Sequence, residues 1–369
     1  MKVESRKPSH NYTKTKRKLN SKFLILLCTV LLLIIGCFKI PKLLSDHALR
    51  ELGYDNDTLE VIYEKNLKTI ILENEYYTEI LEANILKDSF DVTYIKLYME
   101  KAEVSDEDIF LYDKLSTKGY GEDQQVNLVA NLESYELTPL LVFDYQEDEQ
   151  AYIEDCLNNR STNSIDAFYL DGSYYELYAN PQEVENLGDV SMNVSKTYYL
   201  PSDYVPENLT LISVAYAASD VYMVEEAAEY FVLMCQTLKS AGYTIYATNS
   251  YRSYYYQTDL YAMYSNNNGS DVADTFAARP GYSEHQTGYA VDVTALYEEF
   301  TDFGESDAYT WMCENAHLYG FIQRYPEDKT SITGYSAESW HWRYLGVELA
   351  TQVKESGLTY DEYYELYLK

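Results

Sequence analysis

Side chains that bind soft metals or cross-link a chain are scarce in this sequence. It has five cysteines in 369 residues: Cys28 and Cys37 in an apolar N-terminal run, and Cys156, Cys235 and Cys313 widely scattered. No Cys-x-x-Cys pair occurs, which argues against a thiolate zinc site, and three cysteines beyond the apolar run give no disulfide framework. Cys235 falls within a helical pattern and reads as a small core hydrophobe. Histidine is equally sparse, with only His10, His47, His285, His317 and His341. None belongs to a His-Glu-x-x-His segment, so the helix-borne zinc signature is missing. Positive charge is short too: 28 Lys and Arg stand against 60 Asp and Glu, a net charge of −32. The first 22 residues alone carry +7, so by subtraction the remainder carries about −39. That balance argues against nucleic acid as a partner, since phosphate binding needs clustered cations, and it reads most simply as a solubility device.

Hydrophobic residues make up 46%, and the 42 tyrosines stand out. Tyrosine at this frequency covers half-buried surface, with carbohydrate stacking as the less favoured reading. The length allows more than one domain. Residues 1–22 form a basic, polar tail. Phe23 to Phe38 is apolar and uncharged, and Ile40, Leu43 and Leu44 extend it past two lysines that can snorkel, so 23–44 is expected to be a transmembrane signal anchor. The basic tail places the N-terminus in the cytoplasm and everything after the anchor outside. Ile34-Ile35-Gly36-Cys37 also resembles a lipobox, which makes a lipoprotein anchored at Cys37 the alternative. A cleaved secretory peptide is disfavoured, because no clear small-x-small site follows.

Residues 45–146 read as a spacer or docking region of short helices, with a weak repeat. Gly53–Asp57, Ser105–Asp108 and Gly119–Asp123 each place acidic or hydroxyl residues before an apolar-periodic run, as a capped helix requires. Residues 147–195 read as a less regular connection, with a loop at Asn158 to Ser164 and a hairpin over Phe168–Tyr178 turned at Asp171-Gly172. From about Lys196 to residue 369 helices and strands alternate. Helices are expected over Val224–Ala241, from Ser253 as N-cap to about Tyr264, over Asp307–Tyr319, and after the Thr359–Glu362 capping box. Strands are expected at Tyr243–Thr248, Phe321–Tyr325 and Trp340–Leu345. The fold class is α+β, with an antiparallel sheet carrying the site.

The chemistry concentrates in Ser283-Glu284-His285-Gln286-Thr287-Gly288-Tyr289-Ala290-Val291-Asp292. Alternation puts Gly288, Ala290, Asp292 and Thr294 on one face of a strand, near a histidine, with small residues that admit a close approach. The segment Glu338-Ser339-Trp340-His341-Trp342-Arg343-Tyr344 adds a second histidine with a glutamate three residues before it. His285, Asp292 and His341 thus form a candidate ligand set, with Glu338 as a base or a fourth ligand. Three N/O ligands and an open position are how a catalytic zinc is held, whereas structural zinc is usually closed by four ligands. A lone His–Asp pair would more often be structural; two segments with complementary parts favour the metal.

Ser-x-His-x-x-Gly-x-Ala-x-Asp followed by Glu-x-x-His-Trp-Arg-Tyr resembles the VanY/VanX group of zinc D-alanyl-D-alanine carboxypeptidases. Ser250-Tyr251-Arg252-Ser253-Tyr254 with Gln257, and Leu200–Pro206, are similar to two further segments of that group, in the same order. The resemblance covers roughly Lys196 to Gly357 and implies one Zn2+ per chain, a fold shared with hedgehog N-terminal and lysostaphin-type domains, and removal of the terminal D-Ala from peptidoglycan stem peptides. It implies that Glu338 is the base rather than a ligand, that Arg252 stabilises the oxyanion, and that Gln257 and Ser283 line the substrate pocket. Trp340 and Trp342 are expected to pack around the ligand between them, and Arg343 to pair with an acidic residue rather than bind substrate. His317 lacks a partner motif. No serine stands three residues before a lysine, so the Ser-x-x-Lys route to the same bond is missing. L,D-carboxypeptidase, dipeptidase and endopeptidase activities remain alternatives within the same chemistry, and a non-catalytic wall-binding module is the alternative outside it.

Overall fold

The computed structural model describes residues 21–143, 149–160, 178–295 and 300–369. The chain divides into two compact units, Met1–Val104 and Ser105–Lys369. The division falls well before the boundary expected near Lys196.

The first unit is helical: Ser21–Leu52, Asn56–Glu64, Lys68–Asn74, Glu79–Ile85 and Ile95–Glu100. Asp55 caps the second of these, its Oδ1 accepting from the Thr58 amide at 2.7 Å. The helices close over Leu49, Tyr54, Ile62, Ile71, Leu81 and Ile85. Buried Asn84 donates to the Tyr98 and Lys101 carbonyls, both at 3.0 Å, and so ties the fourth helix to the end of the fifth. The first helix runs on past the expected anchor to Leu52. Most side chains of its apolar half lie outside the described residues; among those described, no helix is long and apolar enough to cross a membrane.

The second unit begins with four helices: Asp106–Lys118, Glu122–Asn131, Ser134–Val142 and Glu149–Asn159. Ser105 and Asp108 form the capping box that opens the first, as the sequence suggests. These helices join the C-terminal domain because polar contacts tie them to its last turns. Thr138 Oγ1 donates to Glu362 Oε1 at 2.9 Å in a buried site, and Lys114 Nζ reaches the Glu365 carbonyl at 3.2 Å. Such pairs, more than 200 residues apart, leave no local signal in the sequence. Asn158 lies inside the fourth helix rather than in a loop, and the hairpin expected over 168–178 falls almost wholly outside the described residues.

Three sheets follow among the described residues. β1 (Gln182–Glu183) pairs in parallel with β2 (Tyr198–Tyr199), and β3 (Leu209–Leu211) pairs antiparallel with β4 (Tyr222–Val224). The main sheet comprises β5 (Ile245–Asn249), β6 (Ala290–Ala295), β7 (Phe321–Tyr325) and β8 (Glu338–Tyr344), in the order β5-β6-β8-β7, all antiparallel. Residues of alternating side chains explain the two faces. Val291 and Val293 of β6, with Trp342 and Tyr344 of β8, enter a core completed by Phe231, Met234 and Leu238 from the helix Glu225–Ser240. Asp292 and His341 face the other way. The expected helix over 307–319 is α-helical to Asn315 and closes as a 3₁₀ turn at Ala316–Tyr319.

Gly320 links that turn to β7 with φ +82°, and its carbonyl accepts from the Leu345 amide at 2.8 Å. A Cβ there would lie 2.5 Å from the buried Tyr344 ring and 3.0 Å from the Gly346 backbone. Gly357 has a similar φ of +70° but open space around it. Gly320→Ala should therefore destabilise the domain by about 2–4 kcal/mol, combining left-handed strain with overpacking, whereas Gly357→Ala should cost about 1–2 kcal/mol from strain alone. Urea denaturation of the two variants checks this; equal losses would remove the packing argument.

Candidate metal centre

The pairing of β6 with β8 sets Asp292 directly opposite His341. Cross-strand neighbours in an antiparallel pair hold their Cβ atoms about 4.5–5.5 Å apart, close enough for both to reach one ion. His285 arrives from the 3₁₀ turn Glu284–Thr287 just before β6. That turn ends at Gly288, which has φ +70° and stands outside the strand rather than on its ligand face. A Cβ at Gly288 would meet Leu209, Pro206 and Val224 at 3.0–3.2 Å, so the glycine admits the β3–β4 hairpin and its approach rather than a substrate.

Nε2 of His285 lies 3.3 Å from Asp292 Oδ2, and Nδ1 of His341 lies 3.3 Å from Asp292 Oδ1. The two imidazole planes stand at 89° with centroids 4.9 Å apart. One ligand atom from each of the three residues falls within 4.8 Å of the others, and among the described residues this is the one cluster of its kind. The far nitrogen of each ring is fixed. Nδ1 of His285 meets the Ser250 carbonyl at 2.6 Å, and Nε2 of His341 meets Glu284 Oε2 at 3.1 Å. A carbonyl and a carboxylate can only accept, so the hydrogens sit on those nitrogens, and in the neutral rings that a metal ion requires the lone pairs of His285 Nε2 and His341 Nδ1 would face Asp292. Asp292 Oδ1 is buried with no hydrogen-bond partner. A two-imidazole, one-carboxylate donor set with an orphaned oxygen among aligned lone pairs fits a divalent cation of the zinc type.

The electrostatics agree. Burial pushes His285 down to about 4, helped by the Arg252 charge, so the ring is neutral near pH 7. Burial acts the same way on His341, but the carboxylates of Asp292 and Glu284 beside it outweigh it and hold the ring up at about 9. Positive charge is therefore favoured at this ring. Asp292 stays well below the ordinary carboxylate range because both imidazoles counter its burial. Glu338 goes the other way: burial, with the charges of Asp292 and Glu284, lifts it to about 7 against His341 and Arg252. Its Oε2 lies 3.7 Å from His341 Nδ1.

These groups line one cleft of about 630 Å3, together with Arg252, Gln257, Ser283 and Trp340. Arg252 stands between β5 and the helix Tyr254–Asn268, which Ser253 caps, and its amide donates to the His285 carbonyl at 3.1 Å. Its Nε is buried without a partner. Gln257 donates from Nε2 to the Ala278 carbonyl at 2.7 Å, which leaves its buried Oε1 unpaired. Ser283 is buried at the cleft. Of the two tryptophans, Trp340 lines the cleft while Trp342 turns into the core. Arg343 pairs with an acid, Glu284, at 2.9 Å.

Glu284 sits inside the motif, yet nothing local in the sequence distinguishes it from a surface acid. It is 1% exposed and binds His341, Arg324 and Arg343 together. Tyr325, whose ring lies 4.9 Å from that of His341, and Tyr335 behind it also carry no sequence signal beyond a strand pattern.

A family model described as VanY: D-alanyl-D-alanine carboxypeptidase matches residues 220–347. YodJ of Bacillus subtilis is 32% identical over 218 residues, which span 56% of this chain and 80% of YodJ. VanXYC of Enterococcus gallinarum, a bifunctional D-Ala-D-Ala dipeptidase and D-Ala-D-Ala carboxypeptidase, is 32% identical over 179 residues, 47% of this chain and 92% of the relative. Among solved structures, the LdcB LD-carboxypeptidase aligns with 34% identity over 50% of this chain and 90% of its own, at a TM-score of 0.47. With YodJ and VanXYC covered so far along their lengths at this identity, and the family's segment falling on the sheet that carries the His-Asp-His cluster, the chain belongs to the VanY family of D-alanyl-D-alanine carboxypeptidases.

Proposed function

We propose that this chain is an extracytoplasmic zinc metallopeptidase that removes the C-terminal D-Ala from peptidoglycan stem peptides. The observation that carries the reading is the convergence of His285 Nε2, Asp292 and His341 Nδ1 in the same cleft as Glu338. These three residues would hold the ion. A zinc ion so held acts as a Lewis acid and lowers the pKa of a water toward about 7.

Glu338 is the base. Its side chain is 14% exposed and lines the cleft, and its elevated pKa lets it take a proton and then release it to the departing amine. A carboxylate with an ordinary pKa would take that proton from water poorly. Arg252 supplies positive charge to the carbonyl oxygen as negative charge develops there, through a guanidinium whose Nε has no other partner among the described residues. Gln257 offers its unpaired Oε1 to a peptide N–H, and Ser283 adds a hydroxyl to the same wall. Cleavage of D-Ala-D-Ala as a free dipeptide, trimming of an L,D bond and endopeptidase cleavage share these steps and differ in how the substrate end is accommodated.

The assay is direct. The full chain, incubated with a stem pentapeptide ending in D-Ala-D-Ala, should release free D-Ala; a chelator should abolish release and added zinc restore it. Glu338→Ala should lower kcat by about 10²–10⁴-fold, and Arg252→Ala by about 10²–10³-fold with KM changing far less. Release of intact D-Ala-D-Ala would move the assignment to an endopeptidase, hydrolysis of free D-Ala-D-Ala alone to a dipeptidase, and release from a tetrapeptide alone to an L,D-carboxypeptidase. No product from folded, zinc-loaded protein on either peptide would leave a wall-binding module.

The basic residues before Phe23 and the helical run after them support anchoring in the cytoplasmic membrane with the catalytic unit outside. Externally added protease should then degrade the C-terminal unit in intact protoplasts. Cys37→Ser should leave the chain in the membrane fraction if the anchor is the helix, and release or mislocalise it if the anchor is a lipid on Cys37.

A further inference from the structure

We propose that Arg324 and Asp361 are positioning residues for the metal ligand His341, so that the metal centre is completed from outside residues 220–347, which the family model matches. This rests on the reading of His285, Asp292 and His341 as a cation site.

A continuous chain of bonds runs away from the cleft. His341 Nε2 meets Glu284 Oε2 at 3.1 Å. The other oxygen of Glu284 accepts from Arg324 Nε and from Arg343 Nη1, both at 2.9 Å. The remaining two nitrogens of Arg324 fork onto Asp361, Nη1 to Oδ2 at 2.6 Å and Nη2 to Oδ1 at 2.8 Å. Asn193 bridges the same pair, accepting from Arg324 Nη2 at 3.4 Å and donating to Asp361 Oδ1 at 3.3 Å. All of these side chains are buried. The family match spans 220–347, so Asn193 lies before it and Asp361 after it, in the capped turn Tyr360–Tyr363.

The two arginines are not equivalent. Arg343 is held by backbone: Nη2 donates to the Val190 and Met192 carbonyls at 2.9 and 2.8 Å, and Nε to the Tyr344 carbonyl at 3.0 Å. Arg324 binds side chains only, Glu284, Asp361 and Asn193. Its orientation, and with it the alignment of Glu284, depends on the bidentate grip of Asp361. Charge points the same way. Two guanidiniums face two carboxylates, Glu284 and Asp361, so the cluster is neutral. Neutralising Asp361 leaves an excess positive charge beside His341, which opposes a cation on the other nitrogen of that ring.

The test measures zinc affinity of the full chain by competition with a chromogenic chelator, together with the visible spectrum of the cobalt(II)-loaded form and the melting temperature without metal. Asp361→Asn should weaken zinc binding about tenfold, the lower end for outer-shell partners, and alter the cobalt spectrum. Because an unpaired buried charge can prevent folding, Arg324→Met with Asp361→Leu is measured beside it; a buried ion pair replaced by apolar residues is often tolerated. That double variant removes the strut without unbalancing charge, and should also bind zinc about tenfold more weakly. A folded double variant with zinc affinity within about twofold of the unaltered chain and the same cobalt spectrum would overturn the proposal and make the network purely structural. Failure of the unaltered chain to bind zinc or cobalt would instead sink the metal-site reading on which it rests.

Discussion

The register between β6 and β8 is the constraint on which the site depends. Asp292 faces His341 only because these strands pair at Val291–Trp342 and Asp292–His341. A shift of one residue would bring Trp342 to the ligand face and send His341 into the core. Two features resist that slip. Trp342 and Tyr344 fill the apolar side of the sheet with Phe231 and Phe321, and His341 and Arg343 are both bonded to Glu284 on the other. The same alternation therefore specifies core and site together, and neither can move without the other.

Glu284 sets what the register alone does not, the tautomer and tilt of His341. A buried carboxylate is costly unless it is fully bonded. Here Arg324 and Arg343 hold Glu284 far below its ordinary value despite burial, so it stays an acceptor over the whole working range of pH. His285 is served differently, by the Ser250 carbonyl, while the Ser250 hydroxyl donates to the Ala290 carbonyl at 2.6 Å. The segment around Arg252 thus orients one ligand, clamps the strand bearing another, and delivers a guanidinium to the cleft. That triple duty explains why Ser250 and Arg252 stand two residues apart.

The parts of the site legible in the sequence were those whose chemistry is local. His285, Asp292, Glu338 and His341 fall in two short segments whose spacing matches a strand and its approach, and helices opened by Asp55, Ser105, Ser253 and Thr359 announce themselves through caps. What could not be read is what joins distant segments. The contact of Thr138 with Glu362 moves four N-terminal helices into the second unit, although their composition matches the helices before them. Gly288 looked like one step of a strand because its neighbours alternate; its positive φ comes from closing a 3₁₀ turn, which alternation does not encode. Glu284 looked like any acid in an acidic chain, since its meaning lies in two arginines 40 and 59 residues away.

The acidic composition sharpens this last point. With 60 acids against 28 Lys and Arg, a basic side chain taken into the interior is drawn from a small pool, yet Arg324 and Arg343 are both fully enclosed. Their burial is balanced by Glu284 and Asp361, so the interior behind His341 is neutral while the molecule as a whole is strongly negative. On the cleft side the balance is reversed: Asp292 and Glu338 outnumber Arg252, and His285 is neutral. Local charge at the cleft thus suits a divalent cation, and the neutral cluster behind His341 does not oppose one. The long-range field of the chain adds little, because exposed charges more than a Debye length away are screened. The distribution of a few buried charges, rather than the net charge, decides what this site can hold.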